Sequence, residues 1–110
     1  MATIETELLK GTLEGTVLAI LDARPAYGYE ITSWLREHGF SDIAEGTVYA
    51  ILVRIEQRGL VDVDRIPSEK GPPRKVYTLT PEGRTRLHTF WATWDSINDR
   101  LGQLRQKGTQ

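Results

Sequence analysis

The chain contains no cysteine, which excludes a disulfide framework and any thiolate metal site. It has only two histidines, His38 and His88. They lie far apart and show no metal-ligand spacing, so each reads as a solvated helix residue. Long apolar runs are also missing: a run such as Val17 to Leu21 is far too short to span a bilayer. The start, Met-Ala-Thr-Ile-Glu, lacks a basic region followed by an apolar core, so no signal peptide is expected and a soluble, cytoplasmic protein is. A dominant charge is lacking as well, with 14 Lys and Arg against 15 Asp and Glu, a net charge of -1 and a pI near 6.1. That balance argues against a protein that coats nucleic acid indiscriminately but leaves room for a local basic face. No glycine-rich phosphate loop of Walker or Rossmann form occurs. Ser41 and Asp42 near His38 fall in a turn, and Asp42 serves better as a helix cap than as part of a nucleophilic site. No enzyme, no metal and no cofactor are expected.

The 110 residues suit a single domain with its own core. A first helix is predicted from Thr6 to Ala23, with Leu9, Leu13, Val17, Ile20 and Leu21 at helical spacing. Gly11 and Gly15 weaken it by about 1 kcal/mol each relative to alanine. They mark either a weak helix or a face against which another backbone packs closely. Arg24-Pro25 ends it, because the residue before proline avoids helical geometry. A second helix spans Tyr27 to His38 with Tyr27, Ile31, Trp34 and Leu35 as its apolar stripe and Gly39 as its stop. A third begins between Asp42 and Glu45, which fit a capping box. It carries Val48, Ile51, Leu52 and Ile55 inward and closes at Gly59.

Leu60 to Pro67 alternates as a strand does, with Val61, Val63 and Ile66 set against Asp62, Asp64 and Arg65. Gly71-Pro72-Pro73 forces a turn, and Arg74 to Thr80 alternates again with Val76 and Leu79 on different faces. Thr80-Pro81-Glu82 is a helix start: cap, proline at the first helical position, acid in the first turn. The last helix runs from Pro81 to Gln106. Leu87, Phe90, Trp94, Ile97, Leu101 and Leu104 recur in alternating steps of three and four, a heptad seam with Trp91 beside it. The expected fold is mostly α with a small β-hairpin (α+β), a winged helix-turn-helix with an added C-terminal dimerisation helix. Residues 1–80 would form the DNA-binding domain, with helix 6–23 also in the dimer interface, and residues 81–110 the dimerisation helix.

Two helices joined by a short turn and followed by a two-stranded wing form a device for docking on DNA, the second helix entering the major groove. Its first residues, Gly46, Thr47, Tyr49 and Ala50, are the candidates for base edges: Gly46 for close backbone approach, Thr47 and Tyr49 for their hydroxyls, Ala50 for a thymine methyl. Arg54 and Arg58, one and two turns on, are placed to reach a phosphate strand, and Tyr27 joins them as a candidate contact. Between Gly46 and Thr80 the cations Arg54, Arg58, Arg65, Lys70, Arg74 and Lys75 outnumber the acids Glu56, Asp62, Asp64 and Glu69 by only two. Lys70, Arg74 and Lys75 are concentrated on the stiff wing. Such a tip lies across a backbone or enters a minor groove, or is simply a solvated hairpin. A second class of reading is a winged-helix adaptor that binds another protein and never touches DNA.

Several segments resemble the PadR family of transcriptional regulators. They are Leu9–Glu14, Tyr27–Ile31, Glu45–Tyr49 with Arg54–Glu56, Gly59–Val61, Gly71–Thr80 and Glu82-Gly83, in the family's order and spacing from Leu9 to Leu87. The resemblance implies a winged-helix dimer that represses transcription at a palindromic DNA operator and dimerises through its first and last helices. The single C-terminal helix resembles the short subgroup, in which effectors bind at or near the dimer interface. Trp91 and Trp94 then either pack the dimer core or, with Leu13, Val17 and Asp95, line an interface pocket for a flat aromatic effector. Two positions depart from the family pattern. Ala44 stands where many members have a capping Ser or Asn, which shifts the capping role to Asp42. Ala50 stands where many have proline, so the operator does not transfer from a relative.

Overall fold

The computed structural model describes residues 3–40 and 42–108; Ser41 lies outside them. Helix α1 (Ile4–Ala23) starts two residues earlier than its apolar period indicates, because Thr3 caps it by accepting the Thr6 N–H. Strand β1 (Ala26–Tyr27) follows and leads into α2 (Gly28–Glu37), whose first turn is fastened by the Glu30 carboxylate accepting the Tyr27 N–H at 2.8 Å. Helix α3 (Glu45–Gln57), strands β2 (Val61–Ile66) and β3 (Arg74–Leu79), and α4 (Pro81–Gly108) complete the chain.

Helices α2 and α3 both stop as their glycines dictate. Gly39 and Gly59 take positive φ, +94° and +74°. The next N–H reaches back to the helix, Phe40 to the Leu35 carbonyl and Leu60 to the Ile55 carbonyl, each at 2.9 Å. The start of α3 differs from expectation. Ala44, not Asp42, occupies the cap position, and no side chain satisfies the first turn. The Asp42–Glu45 capping box is absent because the helix begins at Glu45, which leaves Asp42 too far upstream.

The sheet has three strands in the order β1-β3-β2, all antiparallel. The hairpin pairs Val61 with Leu79 through Ile66 with Arg74. The third strand, absent from the sequence reading, sets Ala26 opposite Tyr77 and Tyr27 opposite Val76. It ties the start of α2 to the wing. On β3 the buried side is formed by Tyr77 and Leu79.

Val17, Leu18, Ile31, Leu35, Val48, Leu52 and Ile55 are completely enclosed and form the core where the first three helices meet. Burial of this kind contributes about 1.5–3 kcal/mol per large side chain. At the junction of hairpin and α4, the Thr80 hydroxyl donates to the Gly59 carbonyl at 2.8 Å and accepts the Gly83 N–H at 3.0 Å. A Cβ at Gly83 would collide with the Leu60 carbonyl oxygen. One threonine and one glycine thus lock the base of the wing to the start of the last helix. The close approach expected at the α1 glycines is confined to Gly15, where the Phe90 ring, not a backbone, fills the space of a Cβ; Gly11 faces open space.

Candidate nucleic-acid interface

With Val48, Ile51, Leu52 and Ile55 turned inward, helical periodicity presents Gly46, Tyr49, Ala50 and Val53 on the outer side of α3. Tyr49 and Val53 are 43% and 51% exposed. The Tyr49 ring rests on the bare backbone of Gly28, where a Cβ would stand 3.1 Å from its Cε1.

Tyr27 and Tyr29, at the entry to α2, stack with ring centres 5.5 Å apart and 13° between planes. The Arg74 guanidinium lies 5.5 Å from the centre of the Tyr29 ring, within the range of cation–π attraction. Together with Lys70, Lys75 and Tyr49, these groups surround an open cleft of about 450 Å³ between the wing, the start of α2 and α3. Tyr77 borders the same cleft. Its hydroxyl is held above the ordinary tyrosine range, first by burial and then by the charges of Glu56 and Tyr49.

The fold therefore brings Tyr27, Tyr49, Lys70, Arg74 and Lys75 into one place. Gly46, Thr47 and Ala50 are exposed on the first turns of α3 outside that cleft, Thr47 beside a small hollow shared with Thr6 and Lys10 of α1. Tyr29 was not among the expected contacts. Its position off the apolar stripe of α2, two residues from Tyr27, was the available signal. Arg54 and Arg58, expected to reach a phosphate strand, are here engaged within the chain. Both turn to the Glu14 carboxylate of α1, at 3.2 and 3.6 Å. Position 54 follows 47 by about two turns, so it faces α1, where a largely enclosed carboxylate attracts it.

On α4, Leu87 belongs to this chain's own core and Phe90 is half-buried over Gly15; Leu87 therefore offers nothing to a partner. Trp94, Ile97, Leu101 and Leu104 remain 41–65% exposed. A largely apolar groove of about 600 Å³ runs between α1 and α4, lined on the α4 side by Phe90, Trp91 and Trp94. Leu13 and Val17 do not reach it, since both are buried in the core. Thr12 and Thr16, each one residue earlier and rotated about 100° round the helix, face it instead, and Asp95 is not part of its lining.

A helix pair followed by a hairpin, with tyrosines and cations converging beside the second helix, defines a winged-helix transcriptional regulator of the DNA-binding class. The model of the transcriptional regulator PadR-like family matches residues 17–89, and the chain belongs to that family, whose members are regulators rather than enzymes. Solved structures agree. A transcriptional regulator from Streptococcus is 40% identical with a TM-score of 0.80 over 91% of this chain and 98% of that one. A PadR family transcriptional regulator from Eggerthella lenta is 37% identical, TM-score 0.82, over 89% and 85%. A PadR-like transcriptional regulator from Bacillus cereus is 35% identical, TM-score 0.79, over 91% and 97%. Among the described residues no helix is long and apolar enough to cross a membrane.

Proposed function

We propose that this chain is a repressor that binds a palindromic DNA operator as a homodimer. The first turns of α3 read bases in the major groove, and the wing tip, with Lys70, Arg74 and Lys75, holds the phosphate backbone. The observation that carries this reading is the convergence of four tyrosines and three wing cations on one cleft beside the exposed face of α3. Aromatic planes and cations at one locus suit a polyanion whose sugars and bases also need contact. An adaptor for another protein has less use for it.

A salt titration tests the assignment, because each phosphate contact contributes about 0.9 to the logarithmic slope of affinity against salt. Lys70→Ala and Arg74→Ala are each expected to weaken binding to all duplexes and to lower that slope by about 1. Absence of duplex binding at low salt would remove the DNA reading, and a salt-indifferent affinity would remove the phosphate contacts assigned to the wing. For the effector, the groove between α1 and α4 suits a small planar aromatic compound stacked on Trp94 and Trp91, whose occupancy releases the repressor. Planar dyes are expected to quench tryptophan fluorescence and to reduce DNA binding, and Trp94→Ala to abolish both responses. A broad dye panel without quenching would exclude this use of the groove.

A further inference from the structure

Glu14 sits near the middle of α1 with a side chain only 15% exposed, and three arginines converge on it. Arg86 of α4 donates through Nε to Oε1 at 3.1 Å. Arg54 of α3 donates through Nη2 to Oε2 at 3.2 Å, and Arg58, at the end of α3, approaches Oε2 at 3.6 Å. One carboxylate therefore joins three helices, each of its oxygens engaged by a different one.

The packing gives this junction its importance. Helix α3 is seated chiefly on α2 and β2, whereas α1 and α4 pack on each other. The DNA-reading helix and the α1–α4 pair thus belong to different packing groups, bridged by apolar core side chains and by Glu14. Apolar contacts tolerate small sliding. A carboxylate that engages one guanidinium on each oxygen is directional and fixes rotation as well as distance.

We infer that Glu14 is a positioning residue that couples the setting of α4 to that of α3 through the path Arg86–Glu14–Arg54, with Arg58 as a second tether. The inference rests on the reading of α3 as the base-reading helix. Any shift of α4, on which the apolar seam and the aromatic groove both lie, displaces Arg86 and is passed to α3 through the shared carboxylate. The role is specificity rather than stability, because half-exposed ion pairs contribute little to folding.

A double-mutant cycle on the full chain tests this with two probes: a duplex selected from a random-sequence pool and an unrelated duplex. Arg86→Lys keeps the charge but loses the Nε donor. It is expected to weaken binding to the selected duplex by about three- to tenfold, in the lower part of the range of coupling within one ion-pair network, and to change affinity for the unrelated duplex by less than about twofold. Placed on a Glu14→Gln background, the same change is expected to have no further effect. Arg54→Lys should behave likewise, and thermal melting of each variant separates loss of fold from loss of coupling. Additive effects in the cycle, or an unchanged ratio of selected to unrelated affinity in Arg86→Lys, would overturn the inference. Failure of the unsubstituted protein to bind either duplex would instead overturn the reading of α3.

Discussion

Gly83 and Gly11 both lie in helices, yet alanine has opposite consequences at the two positions. At Gly83 a methyl group would run into the Leu60 carbonyl oxygen and approach Leu79 Cδ1 at 2.6 Å. The oxygen is already fixed by the Thr80 N–H at 3.1 Å and cannot retreat cheaply. Gly83→Ala is therefore expected to destabilise by about 1–3 kcal/mol, as overpacking does. At Gly11 the methyl meets nothing within 4 Å, so Gly11→Ala should gain the helix-propensity difference, about 1 kcal/mol. Urea unfolding of the two variants measures both signs. Tyr77 gives a pH-dependent counterpart. Its proton is held more tightly in the folded chain, through burial first and the neighbouring Glu56 and Tyr49 charges second. The stability linked to that proton is fully present below the ordinary tyrosine value of 10.0 and is lost as pH rises through the higher folded value. Melting temperature should thus fall more steeply above pH 10 in the unsubstituted protein than in Tyr77→Phe; equal slopes would contradict the assigned environment.

Helix α3 separates what the chain needs for folding from what it offers to a partner. A Cβ at Gly46 would meet nothing in the chain, so the fold has no steric need of glycine there. If the backbone at Gly46 lies close to DNA, Gly46→Ala should leave the melting temperature unchanged or raised. It should also weaken binding to a selected duplex by about tenfold, the cost of roughly 1.4 kcal/mol at a tight interface. Unaltered DNA affinity would place the contact elsewhere on the helix. At this scale the sequence was informative wherever periodicity or punctuation acted locally. The stripe of α3, the stops at Gly39 and Gly59, and the Thr80-Pro81 start appear where those signals put them, whereas of the α2 stripe only Ile31 and Leu35 are buried, Tyr27 precedes the helix and Trp34 is exposed. What escaped depends on partners distant in the chain. A two-residue strand has no period to detect and exists only because β3 lies alongside it. Nothing next to Arg54 in the chain announces its pairing with Glu14, which α1 brings to it. Leu87 and Phe90 share one heptad step with Trp94, yet the core takes the first, shares the second and leaves the third exposed.

The whole molecule is elongated, 62 Å by 33 Å by 20 Å, because α4 continues well past the core. Its 28 residues span about 42 Å at 1.5 Å per residue, and its buried residues, Gly83 and Leu87, lie near its start. Beyond Trp94, a helix with Ile97, Leu101 and Leu104 exposed has little of its own chain to rest on, and solitary helical segments of that length are marginal in water. A second copy related by two-fold symmetry would cover the seam and supply a second α3, and a palindrome with half-sites about one DNA turn apart, roughly 34 Å, needs two such helices. Placing charge in the seam separates the two functions. The double variant Ile97→Asp with Leu101→Asp leaves the core residues untouched, so the monomer should keep its near-native fold by circular dichroism while sedimentation equilibrium reports a single chain. Binding to a selected palindromic duplex should then fall by about a hundredfold or more, because the second half-site no longer benefits from effective concentration. Binding to a duplex carrying one half-site should be much less affected. A variant that remains dimeric would move the interface off the seam, and a monomer that binds the palindrome undiminished would mean that one copy of the domain reads DNA alone.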